Sequence, residues 1–198
     1  KGLGRSIAIG LAREGANVAI CARSQDSLTS TAKFIEENYS VAALPLVADL
    51  RNQGDIDRLV DSTVKRFNRI DILLNNAGAF FQRRELTEDG IERTFALNHL
   101  GYFLMTALLT DRLKAAASAR IVNVASGAHV GAKLDLDDLQ NAKAYSGWRA
   151  YQQSKLANIL FAKALALRLG EGRTANALHP GVIGTNLGRH MNPLVTGL

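Results

Sequence analysis

The sequence predicts an α/β fold, a doubly wound parallel sheet with helices on both faces, and two observations carry that expectation. Short runs rich in Val, Ile, Leu and Ala alternate with longer segments of helical period, the pattern of repeated βα units rather than of hairpins or bundles. These runs are nearly continuous in apolar character, as strands covered on both faces should be. Strands are expected over residues 17–22, 41–48, 70–75, 120–125 and 174–179.

The helices follow from spacing. Residues 3–14 set Ile7, Ala8, Gly10 and Leu11 on one side and stop at Gly15, a residue suited to the left-handed conformation that ends helices. Residues 24–38 form the next helix, and residues 55–67 carry Ile56, Leu59, Val60, Val64 and Phe67 at helical spacing. A long helix is expected over 87–117 and another over 148–169, with Leu156, Ile159, Leu160, Phe161, Ala164, Leu165 and Leu167 as its apolar stripe. That stripe reads as core or as a helix-helix dimer face. No linker, repeat or low-complexity tract divides the chain, so a single domain over 1–198 is expected. The order begins with a helix, where such a sheet would have its central first strand, and it stops where a further strand and helix would be expected. The sequence therefore reads as an internal portion of a longer protein.

With 47% hydrophobic and 21% charged residues, the 198-residue chain is neither disordered nor collagen-like. Its one cysteine, Cys21, excludes a disulfide framework and a thiolate metal cage, and fits a reducing, cytoplasmic location. The formal charge of +6 is spread over single and paired basic residues with no aromatic platform among them, so no nucleic-acid partner is expected. No apolar stretch approaches the roughly 18 residues that a spanning helix needs. His99, His129, His179 and His190 show no metal-ligand spacing, so no metal is expected. His179 is read as serving the loop beside it.

Three local strings carry chemistry. Lys1-Gly2-Leu3-Gly4-Arg5 runs straight into a helix; glycines there let backbone approach a pyrophosphate while the helix N-terminus offers it unpaired amides. Alone, such glycines are more often turn residues. About twenty residues further on, where a dinucleotide ribose would lie, stands Arg23 rather than an acid. Asn75-Asn76-Ala77-Gly78 follows an apolar run, placing small residues and amides at the carboxyl end of a parallel strand, where ligand crevices open. A plain strand-to-loop turn is the alternative. Tyr151-Gln152-Gln153-Ser154-Lys155 heads an amphipathic helix and stacks a phenol and an ammonium on one face. A nearby positive charge favours tyrosinate and lowers a pKa that starts near 10, toward useful acid-base range. By spacing alone such a pair is usually surface decoration.

Together with Ser126 after the fourth strand and Asn98 in the long helix, these strings resemble the short-chain dehydrogenase/reductase family over nearly the whole chain. The resemblance implies a Rossmann-type fold and a nicotinamide coenzyme. Lys1-Gly2-Leu3-Gly4 looks like the end of the family's glycine motif, Asn75 to Gly78 matches its Asn-Asn-Ala-Gly signature, and Tyr151 with Lys155 matches its Tyr-x-x-x-Lys pair. Pro180 and Gly181, followed by Thr185, match the loop that closes on the nicotinamide. By this likeness Tyr151 exchanges a proton with the substrate oxygen, and Lys155 lowers the tyrosine pKa and binds the nicotinamide ribose. Ser126 holds the reacting oxygen, and Asn98 anchors a water that relays protons to Lys155. Asp49 and Leu50 lie where the family contacts adenine, and Asn76, Ala77 and Gly78 line the coenzyme.

Tyr145 is a decoy, because the residue four after it is Arg149, whose guanidinium stays charged and cannot relay a proton. Residues 134–147 read as an insertion. Ala128-His129, Leu136-Asp137-Asp138-Leu139 and Ser154-Lys155-Leu156-Ala157-Asn158 look most like the retinol-dehydrogenase-like branch, which handles lipophilic carbonyls and alcohols. Ala22 stands where an NAD-specific site would carry an acid, while Arg23 can fork onto a ribose 2′-phosphate and Lys1 matches a basic position of NADP-preferring members. The expectation is an NADP(H)-dependent oxidoreductase acting on a small carbonyl or alcohol, and by resemblance a homo-oligomer. The alternatives are a dinucleotide-binding scaffold or inactive fragment without turnover, and a sugar-nucleotide epimerase or dehydratase. The Asn75 to Gly78 run disfavours the epimerase; a scaffold has no need of a lysine-paired phenol.

Overall fold

A computed structural model describes residues 2–50 and 52–181. These sort into two compact units, one ending at Ile70 and one beginning at Asp71. The first unit runs α1 (Leu3–Arg13), β1 (Val18–Ala22), α2 (Gln25–Asn38), β2 (Ala43–Val47) and α3 (Gln53–Phe67). β1 and β2 pair in parallel from Val18 opposite Ala43 to Ala22 opposite Val47. Their core joins Ala8 and Ala12 of α1 to Val18 of β1 and Ile35 of α2, with Ile9, Leu11, Ile20 and Val41 packed around them. The helix expected from residue 55 starts at Gln53, because the Asn52 side chain accepts from the Asp55 amide at 3.0 Å and supplies the cap. It ends at Asn68, which takes the left-handed conformation.

The second unit holds β3 (Ile72–Asn75), α4 (Arg93–Phe95), a π-helical turn (Ala96–Leu100), α5 (Gly101–Ala115), β4 (Arg120–Val124), a 3₁₀ turn (Gly127–His129), α6 (Gly147–Ala166) and β5 (Thr174–Leu178). Its sheet is wholly parallel in the order β3-β4-β5, with Ile72 level with Arg120 and Arg120 level with Thr174. Parallel neighbours need crossovers, and α5 and α6 supply them. The strands observed in both units are those the apolar runs predicted, each trimmed at its ends.

The long helix expected over 87–117 is the main departure. Residues 87–92 form a turn, in which the Gly90 amide donates to the Thr87 carbonyl at 3.0 Å and Leu86 bridges Glu92 in antiparallel fashion. The helix begins only after Glu92, whose fully buried carboxylate accepts from the amides of Thr94 and Phe95, both at 2.8 Å. A carboxylate at a helix N-terminus meets both orphan amides and the positive end of the helix dipole. The apolar periodicity of 87–117 carries no mark of this cap.

Candidate active site

Tyr151 and Lys155 lie one turn apart on α6, and both are buried. Ser126 follows the carboxyl end of β4 and caps the 3₁₀ turn, its Oγ accepting from the Ala128 amide at 3.2 Å. That bond occupies a hydroxyl lone pair and leaves the Ser126 proton available to donate, with the phenol of Tyr151 near enough to feel the hydroxyl. Burial pushes the Tyr151 pKa up, and the nearby Ser126 hydroxyl pulls the other way. The Lys155 ammonium is committed elsewhere: it donates to the Val124 carbonyl at 3.1 Å and lies over the rings of Tyr151 and Tyr102, 5.6 and 5.8 Å from their centroids. Burial draws its own pKa down to about 8. The phenol therefore stands above its ordinary value here, where the lysine was expected to lower it, because loss of solvent outweighs the pull of the Ser126 hydroxyl.

Asn98 sits in the π turn, fully buried. Its side chain clamps the backbone of Ala79 from both sides, Oδ1 accepting from the Ala79 amide at 2.9 Å and Nδ2 donating to its carbonyl at 3.0 Å, and Nδ2 also donates to Ser154 Oγ at 3.1 Å. This clamp holds the loop after β3 against α6. A Cβ added to Gly78 would lie 3.3 Å from Lys155 Nζ and 3.5 Å from Asn98 Oδ1, so glycine keeps the loop backbone within reach of both. Asn75, by contrast, points inward and donates to Asn123 Oδ1 at 2.9 Å and Thr106 Oγ1 at 3.3 Å. Of the signature, Asn76 and Ala77 are half-buried and Gly78 exposed.

Sequence reasoning missed Asn158 as a site residue. Fully buried, it donates through Nδ2 to the Asn98 carbonyl at 2.8 Å and shares a 3.0 Å bond with His99 Nδ1. Its position three residues after Lys155, on one helix face, is the signal that could have found it. Tyr145 is held away from any chemistry: its hydroxyl donates to the Phe81 carbonyl at 3.1 Å and to Glu92 Oε1 at 3.2 Å, and burial with the neighbouring carboxylates pushes its pKa up to about 12. His179 packs its Nε2 close to Gly127, 3.1 Å from where a Cβ would stand. Pro180 is half-buried, and Gly181 follows with φ of 82°.

The first unit presents its own set. Gly2 has φ of 82° at the head of α1 and offers no side-chain cap, so the first-turn amides of Leu3 and Gly4 meet no capping oxygen from it. Arg23 is exposed just past β1; Asp49 and Leu50 are half-buried just past β2, and the Asp49 amide donates to Asp55 Oδ2 at 2.8 Å. Lys1 and Thr185 lie outside the described residues.

A phenol, a serine hydroxyl and a buried lysine thus gather at the carboxyl end of a parallel strand. The family description "short chain dehydrogenase" matches residues 1–194. This chain belongs to the short-chain dehydrogenase family. Human retinol dehydrogenase 13 is 45% identical to it over 194 residues, covering 96% of this chain and 58% of its own length. Human retinol dehydrogenase 12 is 41% identical over 197 residues, 98% of this chain and 62% of its own. A short-chain dehydrogenase from Sphingobium yanoikuyae, solved in complex with NADPH, shares 26% identity with a TM-score of 0.80 over 98% of this chain and 73% of its own. The present short-chain dehydrogenase thus spans about three fifths of the length of these curated relatives. It has the doubly wound α/β class and the retinol-dehydrogenase-like affiliation that its motifs implied. Among the described residues no helix is long and apolar enough to cross a membrane.

Proposed function

We propose that this short-chain dehydrogenase is an NADP(H)-dependent oxidoreductase that acts on lipophilic carbonyl and alcohol substrates, with Tyr151 as acid and base. The observation that carries the reading is the buried Tyr151 phenol, one helical turn from a buried Lys155 and close to the Ser126 hydroxyl. The coenzyme, when bound, supplies or accepts the hydride at its nicotinamide ring.

The chain's own groups divide the remaining work. Tyr151 stays protonated at neutral pH because burial raises its pKa, so it has a proton to give as a carbonyl oxygen becomes an alcohol. Ser126 is a preplaced donor for the charge that develops on that oxygen. Lys155, held by the Val124 carbonyl, would bind the nicotinamide ribose, and Asn98 keeps the loop that carries Gly78 in place. Glycine at position 78 lets the loop backbone lie close to Lys155 and Asn98, where a side chain would crowd both. Lys1, Gly2, Leu3 and Gly4 would receive the pyrophosphate, Arg23 the 2′-phosphate, Asp49 and Leu50 the adenine, Asn76, Ala77 and Gly78 the ribose side, and Pro180, Gly181 and Thr185 the nicotinamide. The uncapped head of α1 and the exposure of Arg23 support this assignment.

A homo-oligomer belongs to the same reading, supported by the exposed Phe103 and Leu108 of α5 and Leu160 of α6, and the single Cys21 supports a cytoplasmic site of action. The test is to follow NADPH absorbance against aldehydes, ketones and retinoids. Tyr151→Phe is expected to lower turnover about 10²- to 10⁴-fold. Undiminished turnover in that variant refutes the reading.

A further inference from the structure

We propose that Trp148 is the platform on which the substrate's body stacks, and that the site thereby selects flat, conjugated or aryl carbonyl compounds over short aliphatic ones; this rests on Tyr151 being the group that meets the substrate oxygen. Trp148 and Tyr151 are three residues apart on α6, on one face of the helix. Their rings stack with centroids 6.1 Å apart and planes 26° from parallel. On Tyr151, Phe80 makes an edge contact at 6.1 Å and 65°. Tyr151 is 5% exposed and Phe80 8%, yet Trp148 is 47% exposed. Of the rings around the phenol, it is the tryptophan that keeps an open face.

A tryptophan needed only to cover its neighbour would bury both faces, since a large ring left half in water forgoes much of the stabilisation it could provide. The backbone beneath it is set closely. Gly147 opens α6 against Phe81, whose carbonyl oxygen would lie 2.3 Å from a Cβ at position 147. The contact that seats Trp148 therefore also seats the residue next to Phe80. A carbonyl held by Ser126 and Tyr151 runs its carbon skeleton past the rings bordering the phenol, and with Phe80 buried the skeleton meets Trp148.

The charge nearby points to an apolar occupant. Arg149, the adjacent cation, turns its guanidinium to Asn141 Oδ1 at 2.6 Å and to the Ala144 carbonyl, so it anchors the preceding segment rather than reaching for an acidic substrate. Between Ser126 and α6 the chain also exposes Val130 at 72% and Leu136 at 75%. A planar π-system gains from an offset stack on an indole what a short alkyl chain cannot.

Trp148 is the one tryptophan of the 198 residues, so its emission reports its own surroundings. Titration with cinnamaldehyde is expected to quench that emission saturably, beyond the effect of the same aldehyde on free N-acetyltryptophanamide, while propanal does not. In steady-state assays with NADPH, the ratio of kcat/KM for cinnamaldehyde to that for propanal should fall about tenfold in Trp148→Ala and be largely kept in Trp148→Phe, which preserves a stacking ring. An unchanged ratio in Trp148→Ala, or quenching no greater than that of the free amide, overturns the proposal. Saturable quenching without turnover of any carbonyl supports the stacking site and overturns the oxidoreductase reading instead.

Discussion

Asn158 donates its side-chain amide to the backbone carbonyl of Asn98 at 2.8 Å, closing a π turn from across the unit. Because Nδ2 is the donor there, Oδ1 is the acceptor of the 3.0 Å bond with His99, and His99 Nδ1 carries the proton. A π turn shifts the helical hydrogen-bond register, and a buried carbonyl released by it must find another donor. Asn158 is a donor to the Asn98 carbonyl of that turn. The same turn aims the Asn98 side chain at Ala79 and Ser154, so Asn158 acts on the site through Asn98.

Asn158→Leu removes the side-chain donor to the Asn98 carbonyl and the acceptor of the half-buried His99 Nδ1 proton. The expected loss is about 2–4 kcal/mol, read from urea unfolding. Asn158→Asp keeps an acceptor for His99 but sets a carboxylate against the carbonyl, and should do no better. A loss below about 0.5 kcal/mol, within the range of ordinary surface changes, refutes the account.

Lys155 is a cost to the fold. Its ordinary pKa near 10.5 is drawn down to about 8 by burial, a penalty on the charged form of about 3 kcal/mol. The penalty is complete below pH about 8, where folded and unfolded chains both carry the proton, and fades as pH rises toward about 10.5, where the unfolded chain alone still binds it. Lys155→Met removes the charge and also the bond to Val124, so a net gain of about 1–2 kcal/mol is expected at pH 7. That gain should shrink between pH 8 and 10. A variant less stable than the parent at pH 7 contradicts this, whatever its activity.

Two glycines make a matched pair. Gly147→Ala drives a Cβ into the Phe81 carbonyl, backbone against backbone, and should cost about 2–3 kcal/mol. Gly10, inside α1, has nothing within 4 Å of its would-be Cβ, so Gly10→Ala should stabilise by about 0.5–1 kcal/mol through helix propensity. Thermal melts of the two variants in one buffer decide it, and equal shifts sink the argument.

Coenzyme preference is a question of charge past β1. Ala22→Asp with Arg23→Ala supplies a carboxylate for a ribose 2′-hydroxyl and removes the fork for a 2′-phosphate, so the ratio of kcat/KM for NADPH over NADH should drop. Each lost or misplaced charge contact corresponds to about tenfold or more. An unmoved ratio removes Arg23 from the coenzyme site.

Alternation of apolar runs with helical periods located every strand among the described residues because both signals are local: a strand buried on both faces announces itself within its own few residues. The strings around Asn75 to Gly78 and Tyr151 to Lys155 were legible for the same reason, since the strand tip and the single helix turn that carry them bring their members together without help. Sequence order alone therefore determined the α/β class and the catalytic candidates. What it did not determine depends on partners distant in the chain. Glu92 stops a helix that periodicity would continue back to Thr87, and it does so with Tyr145, 53 residues on, donating to its carboxylate. The π turn is bonded by Asn158, 60 residues from Asn98. Asn75 belongs to the coenzyme signature by sequence but bonds Asn123 and Thr106 in the interior. The direction of the Tyr151 shift was decided in the same way: the lysine one turn away is written in the sequence, whereas the loss of water around the phenol exists only once β4, α6 and the loop after β3 have packed, and desolvation is a property of that packing.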